Sequence, residues 1–116
     1  MANPRKTTLN PDVVAAPLKP YYSNCVRSDA GPLLWISGQV ALDRDGHLMG
    51  KGDLRVQAVQ VLENIKAILS ASDATMEDIV KVTVYVTDIR AFNDIADIRE
   101  KYFPKGGPAS VICEVA

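Results

Sequence analysis

IVKVTVYVT, Ile79–Thr87, decides the fold. Val80, Val82, Val84 and Val86 fall on one side of an extended chain while Lys81, Thr83, Tyr85 and Thr87 fall on the other, the period of two that a strand with one buried face requires. Upstream, from Asp53, the period changes. Leu54, Ala58, Val61, Leu62, Ile65, Ile68 and Leu69 recur at spacings of three and four, with Arg55, Gln60, Glu63 and Lys66 on the opposite side. A helix therefore precedes the strand, with Asp53 as its N-cap. Between them lies the polar break SASDATMED, in which Thr75 and Asp78 have the offset of a helix-starting box. Downstream, a second helix is predicted from about Asp88, burying Phe92, Ile95, Ile98 and Tyr102, exposing Asn93, Asp94, Asp97 and Lys101, and stopped by Pro104. On this reading Arg99 and Glu100 occupy an exposed helical face. A Gly106-Gly107-Pro108 turn then delivers the closing strand, ASVICEVA.

Towards the start, Pro4, Pro11, Pro17 and Pro20 forbid a long helix, so residues 1–20 read as an extended arm leading into one domain over 21–116. YYSNCVRS and PLLWISGQVAL read as two strands of a hairpin, joined at Asp29-Ala30-Gly31-Pro32, and Asp45-Gly46 lets the chain reverse again. The order strand, strand, helix, strand, helix, strand is an α+β layout, with both helices on one side of a mixed sheet. Two helices cover only one face. The other, bearing Lys81, Thr83, Tyr85 and Trp35, is expected to be buried against further copies in a homo-oligomer.

Composition narrows the function. The 116 residues are 47% hydrophobic, enough for one modest core, and the formal net charge of -1 offers no basic surface to nucleic acid. No apolar run approaches a membrane span, and the first residues lack the apolar centre of a secretory signal. A soluble, cytoplasmic protein is expected, with Cys25 and Cys113 as free thiols rather than a bridge. His47 is the single histidine and sits in a loop beside Asp45 and Gly46, so neither a metal cluster nor a histidine-based triad is expected. Glycines in LMGKGDL lack the lysine and hydroxyl of a phosphate loop. No cofactor is implied. SGQVALD, Ser37–Asp43, puts Gly38 inside an apolar strand, where it marks either a bulge or a place of close approach to the backbone. Tyr22, Ser23 and Asn24 would meet that place if the two opening strands paired.

Taken together, YYSNCVRS, LLWISGQVALD, QAVQVLENIKAIL, VKVTVYVTDI, FNDIADIREKYFP and GPASVICEVA resemble the Rid family, also called YjgF or reactive intermediate deaminase proteins. The likeness runs from about Pro20 to Ala116, and SGQ, VLEN and VTD are its most telling pieces. It implies a chorismate-mutase-like α+β fold assembled as a homotrimer, with a central barrel of sheets and clefts between subunits. It also implies hydrolysis of enamines and imines to ammonia and a 2-oxo acid without metal or cofactor. In that chemistry an arginine on the closing strand pins the substrate carboxylate, and a water held by backbone and a glutamate attacks the C=N carbon.

Position by position, the resemblance makes Tyr22 the pocket tyrosine, Gly38 the glycine facing the ligand and Ile112 the water-holding backbone position. The family's Pro-Ala-Arg-Ser reads Pro108-Ala109-Ser110-Val111 here, so Ser110 stands where the arginine is expected. Loss of a buried charged contact costs ~2 to 5 kcal/mol of carboxylate recognition. Either the substrate is uncharged or a cation is borrowed, from Arg27, Arg99 or Lys105 of a neighbouring subunit. Cys113 lies three residues past Ser110, on the other face of the strand, an asparagine of the second helix is Ala96, and the family glutamate would lie on a final strand beyond Ala116. The expected site is thus Tyr22, Gly38, Ser110 and Ile112, acting on a small imine, enamine or related reactive metabolite. Two alternatives remain: a non-catalytic trimer binding a metabolite or protein, and the ribonuclease or translation-inhibitor role attached to the family.

Overall fold

The computed structural model describes residues 5–116; the head of the expected arm, residues 1–4, lies outside the described residues. Its elements are β1 (Lys6–Leu9), β2 (Cys25–Ser28), α1 (Leu54–Ala71), β3 (Lys81–Val86), α2 (Ala96–Tyr102) and β4 (Ala109–Glu114), with 3-10 turns at Met76–Asp78 and Ile89–Ile95. This is the α+β class that the periodicities require. The described residues fall into two units, one running to Gly31 and resuming at Glu77–Ala116, the other Pro32–Met76. No helix among the described residues is long and apolar enough to cross a membrane.

The first unit holds both sheets, each of two strands. β3 and β4 run parallel, with Val82 opposite Ser110 and Val84 opposite Ile112. Val82, Val84 and Val86 face inward while Thr83 and Tyr85 face outward, as the alternation of Ile79–Thr87 demands. Between these strands, Asp88 caps the 3-10 turn by accepting from the Arg90 N–H at 3.0 Å, and the chain relaxes into α2 from Ala96. The predicted second helix is therefore 3-10 in its first half. Of its expected apolar set Ile95 and Ile98 are buried and Phe92 and Tyr102 half-buried, while Phe103, not among them, is buried as well.

β1 lies within the stretch read as an arm. Thr7 and Thr8 give it β-branched character, and it pairs antiparallel with β2, Lys6 opposite Ser28 and Leu9 opposite Cys25. The opening strand is shorter than YYSNCVRS, because Tyr21–Asn24 bond elsewhere. Ser23 N–H donates to Pro108 O at 3.1 Å and its Oγ to Gly107 O at 2.6 Å, fastening this segment to the turn before β4. Gly107 is what permits the approach: a Cβ there would collide with the Tyr21 carbonyl.

In the second unit the expected strand PLLWISGQVAL does not form, and the hairpin with YYSNCVRS is absent. Alternation alone supplies no ladder, and β2 takes its partner from β1 instead. Pro32–Val40 has no regular secondary structure, and Leu33, Leu34 and Trp35 are exposed, Trp35 by 89%. Chain reversal at Asp45-Gly46 is as predicted. Gly46 has φ +83°, and Asp43 Oδ1 accepts from the N–H groups of Asp45 and His47, both at 2.9 Å. α1 starts where the sequence says, with Asp53 Oδ1 accepting from Val56 N–H at 3.1 Å. Gln60, expected on the outer side, is half-buried because its Nε2 donates to Asn64 Oδ1 at 2.7 Å. Asn64 Nδ2 in turn donates to Leu42 O at 2.9 Å, tying the loop to the helix.

Two substitutions test this reading. Asp53→Ala removes the cap of α1 and should lower stability by about 1 kcal/mol in urea unfolding. Gly107→Ala forces Cβ into backbone and should cost about 2 to 3 kcal/mol, seen as a drop in midpoint with an unchanged slope.

Candidate functional site

The parallel ladder fixes what β4 presents. Ala109 N–H donates to Val80 O at 3.1 Å and Val115 N–H to Val86 O at 2.8 Å, so odd-numbered residues bond to β3. By alternation Ser110, Ile112 and Glu114 turn their backbone N–H and C=O groups to the other edge. Pro108 points the same way, and its carbonyl is the one Ser23 takes. The backbone of Ile112, the expected water-holding position, thus lies on an edge that carries no strand among the described residues. Side chains alternate as well: Ser110 and Ile112 share the face of Val82 and Val84, and Cys113 lies on the opposite one with Tyr85. Cys25 and Cys113 are free thiols.

Ser110 is half-buried, and its hydroxyl is met by a guanidinium: Arg99 Nη2 donates to Ser110 Oγ at 2.8 Å. Arg99 comes from α2 of the same chain. It is 7% exposed, which corrects the exposed-face reading of this residue. The reason is spacing, since Ile95, Arg99 and Phe103 recur every four residues and so share the inward side of the helix. Glu100, one step round, is exposed as expected. The Arg99 Cζ lies 4.4 Å from the centroid of the Tyr21 ring, a cation–π stack that holds the guanidinium plane. Burial pushes its pKa down, with the Tyr21 hydroxyl acting in the other direction. It remains a cation at neutral pH.

The Arg99 side chain makes no other hydrogen bond or ion pair among the described residues. Yet no side-chain nitrogen or oxygen among them is both fully buried and unbonded. The remaining Arg99 N–H groups therefore reach the surface of the cluster. Tyr21 itself is 3% exposed, and Tyr22 stands against it with ring centroids 6.1 Å apart. The Tyr22 hydroxyl accepts from Leu18 N–H at 3.0 Å. The structure brings together Ser110, Arg99 and Tyr21; Gly38 belongs to the second unit, where a Cβ would meet nothing within 4 Å. Of the other two candidate cations, Arg27 is exposed and pairs with Asp29 at 3.4 Å, and Lys105 is exposed. His47 lies beside Asp43 and Asp45, and the three side chains converge within 4.8 Å. The turn at Gly46 accounts for their proximity, and Asp43 is already occupied by backbone N–H groups.

With this geometry in hand, comparison with known proteins gives a consistent answer. The family described as Endoribonuclease L-PSP matches residues 13–116. The chain belongs to this family, the Rid or YjgF family. A RutC family protein of Pyrococcus horikoshii is 41% identical over 100 residues, covering 86% of this chain and 77% of the relative. The 2-iminobutanoate/2-iminopropanoate deaminase of Dermatophagoides farinae is 32% identical over 108 residues, covering 90% and 83%. Among solved structures, the Rid family protein YyfB of Yersinia pestis superposes with a TM-score of 0.84 at 27% identity, over 97% of this chain and 88% of that one. Ser110, expected from the resemblance to stand where the family carries its strand arginine, is touched by the helix residue Arg99. Ser110→Ala should leave an Arg99 donor without its acceptor and cost about 1.5 to 3 kcal/mol in denaturant unfolding, most of it recovered in Ser110→Thr.

Proposed function

We propose that the chain hydrolyses the C=N bond of a small imine, or of the enamine in equilibrium with it, in a cleft completed by further copies of itself as a homotrimer. The observation that carries this reading is the edge of β4, where the backbone groups of Ser110 and Ile112 stand unpaired by strand beside a buried, polar Ser110–Arg99–Tyr21 cluster. Family membership and the likeness to a named deaminase support it.

The chemistry asks little of the protein. A protonated imine carbon is already electrophilic. Water adds through oxygen, the π pair of the C=N bond moves to nitrogen, and a proton passes from oxygen to nitrogen to give a carbinolamine. That intermediate expels ammonia as the C–N bond breaks and the C=O bond forms, and the second proton of the water is lost. Positioning of water and substrate supplies the rate enhancement, through edge carbonyls that accept from the water and N–H groups that orient the substrate. No side-chain nucleophile or cofactor takes part. Exposed Tyr85 (67%) and Val111 (45%) on the outer face of the β3–β4 sheet support burial against other copies. A net charge of -1 weighs against the ribonuclease reading.

Freshly generated 2-iminobutanoate and an uncharged aliphatic imine, each offered to the purified chain, test the proposal through ammonia release in a coupled assay. We expect release above the buffer rate with at least one of them, and sedimentation as a trimer. Release no faster than buffer from a folded trimer would leave a non-catalytic binding module as the better reading.

A further inference from the structure

We infer that the second unit carries a binding site of its own, a pocket between the Leu34–Gln39 segment and the C-terminal end of α1 that takes a small alkylammonium ion. It involves none of the residues of the β4 edge and stands independently of the hydrolytic reading.

The pocket has a volume of about 250 Å³ and is lined by Leu34, Trp35, Ile36 and Gln39 together with Ile68 and Ser72 at the end of α1. Pockets for drug-sized molecules run from ~300 to 1,000 Å³, so the occupant is smaller than these. Leu34, Ile36 and Ile68 suit a short hydrocarbon chain. The polar groups lean towards acceptors. Ser72 Oγ donates its one proton to Ile68 O at 3.1 Å, and Gln39 Nε2 donates to Ser37 O at 3.2 Å. Against the one remaining Gln39 N–H, these side chains offer the Ser72 lone pairs and the Gln39 Oε1, neither of which accepts a hydrogen bond among the described residues. The electrostatics point the same way. Ser72 is the C-cap of α1, so this end of the pocket meets the negative pole of an 18-residue helix whose last turn holds no basic side chain. Asp73, the next residue, is exposed and adds a carboxylate. Trp35, exposed over 89% of its surface, supplies the ring face that attracts a cation most strongly. No charged side chain lines the pocket to neutralise these features. An anion would meet them with the wrong sign, and an alcohol would gain a hydrogen bond without the charge term. An ammonium on a short apolar stem uses all of them.

Trp35 is the single tryptophan of the chain, so intrinsic fluorescence of the full chain reads the pocket directly. Three probes of like shape serve the test: isopentylammonium, isopentanol and isovalerate. We expect a saturable change in Trp35 emission with the ammonium, at an affinity at least ~fivefold tighter than for the alcohol, a preference that weakens with salt, and no response to the carboxylate. Trp35→Leu, an exposed substitution whose fold is checked by circular dichroism, should bring ammonium affinity down to that of the alcohol by calorimetry, and Trp35→Phe should keep part of the difference. Asp73→Asn, which tolerates the positive φ of 57° at this position, should weaken the ammonium about twofold and leave the alcohol unchanged. Equal affinity for ammonium and alcohol overturns the inference, as does saturable binding of isovalerate or a preference that survives in Trp35→Leu. If a second copy covers Trp35 instead, its emission is blue-shifted, shielded from a soluble quencher and indifferent to all three probes, which also overturns it.

Discussion

A guanidinium held out of water between one ring and one hydroxyl is the constraint around which α2, Tyr21 and the start of β4 are arranged. Removing such an ion from solvent costs several kcal/mol even after the protein relaxes. The Tyr21 stack returns up to about 2 kcal/mol when desolvated, and a hydrogen bond from a charged donor about 1.5 to 3 kcal/mol. These terms are comparable, so the arrangement is tolerable but not comfortable.

Placement of the cluster follows from backbone fit rather than from the cluster itself. Ser23 holds the turn before β4 through Gly107 and Pro108, and the absence of a Cβ at Gly107 lets the Tyr21 carbonyl come close. Tyr21 is thereby carried under Arg99, and the register Val82 opposite Ser110 sets the hydroxyl on the inward face. A slip of one residue in that register would turn Ser110 outward and leave the guanidinium with a ring alone.

The sequence made some of this legible and hid the rest for identifiable reasons. Val80–Val86 and the Leu54–Leu69 stripe are long, strictly periodic runs, and β3 and α1 appear where those periods put them. Asp53 and Pro104 punctuate as their chemistry requires. Pro32–Leu42 misled because alternating apolar residues specify a face, not a partner, and no strand among the described residues pairs with them. β1 was hidden among prolines, since four residues between two breakers look like linker until the strand they pair with is known. Arg99 was misread through its charge. Its spacing from Ile95 and Phe103 placed it in the buried stripe, and counting position before residue type would have found it. Ser110 stood out because it departs from the expected family pattern, but nothing local in Pro108–Val111 says that Arg99, eleven residues upstream, donates to its hydroxyl.

Serine at 110 and arginine at 99 are best understood as a matched pair. With Arg99 Nη2 only 2.8 Å from the Ser110 oxygen, an arginine at 110 beside the native Arg99 would bring two cations into one half-buried space, where low dielectric magnifies their repulsion. In this chain a strand-borne arginine at 110 would therefore compete with Arg99 for the same volume. They are not equivalent alternatives. The guanidinium entering from the helix approaches the strand from the side of Tyr21, with its plane fixed by that ring.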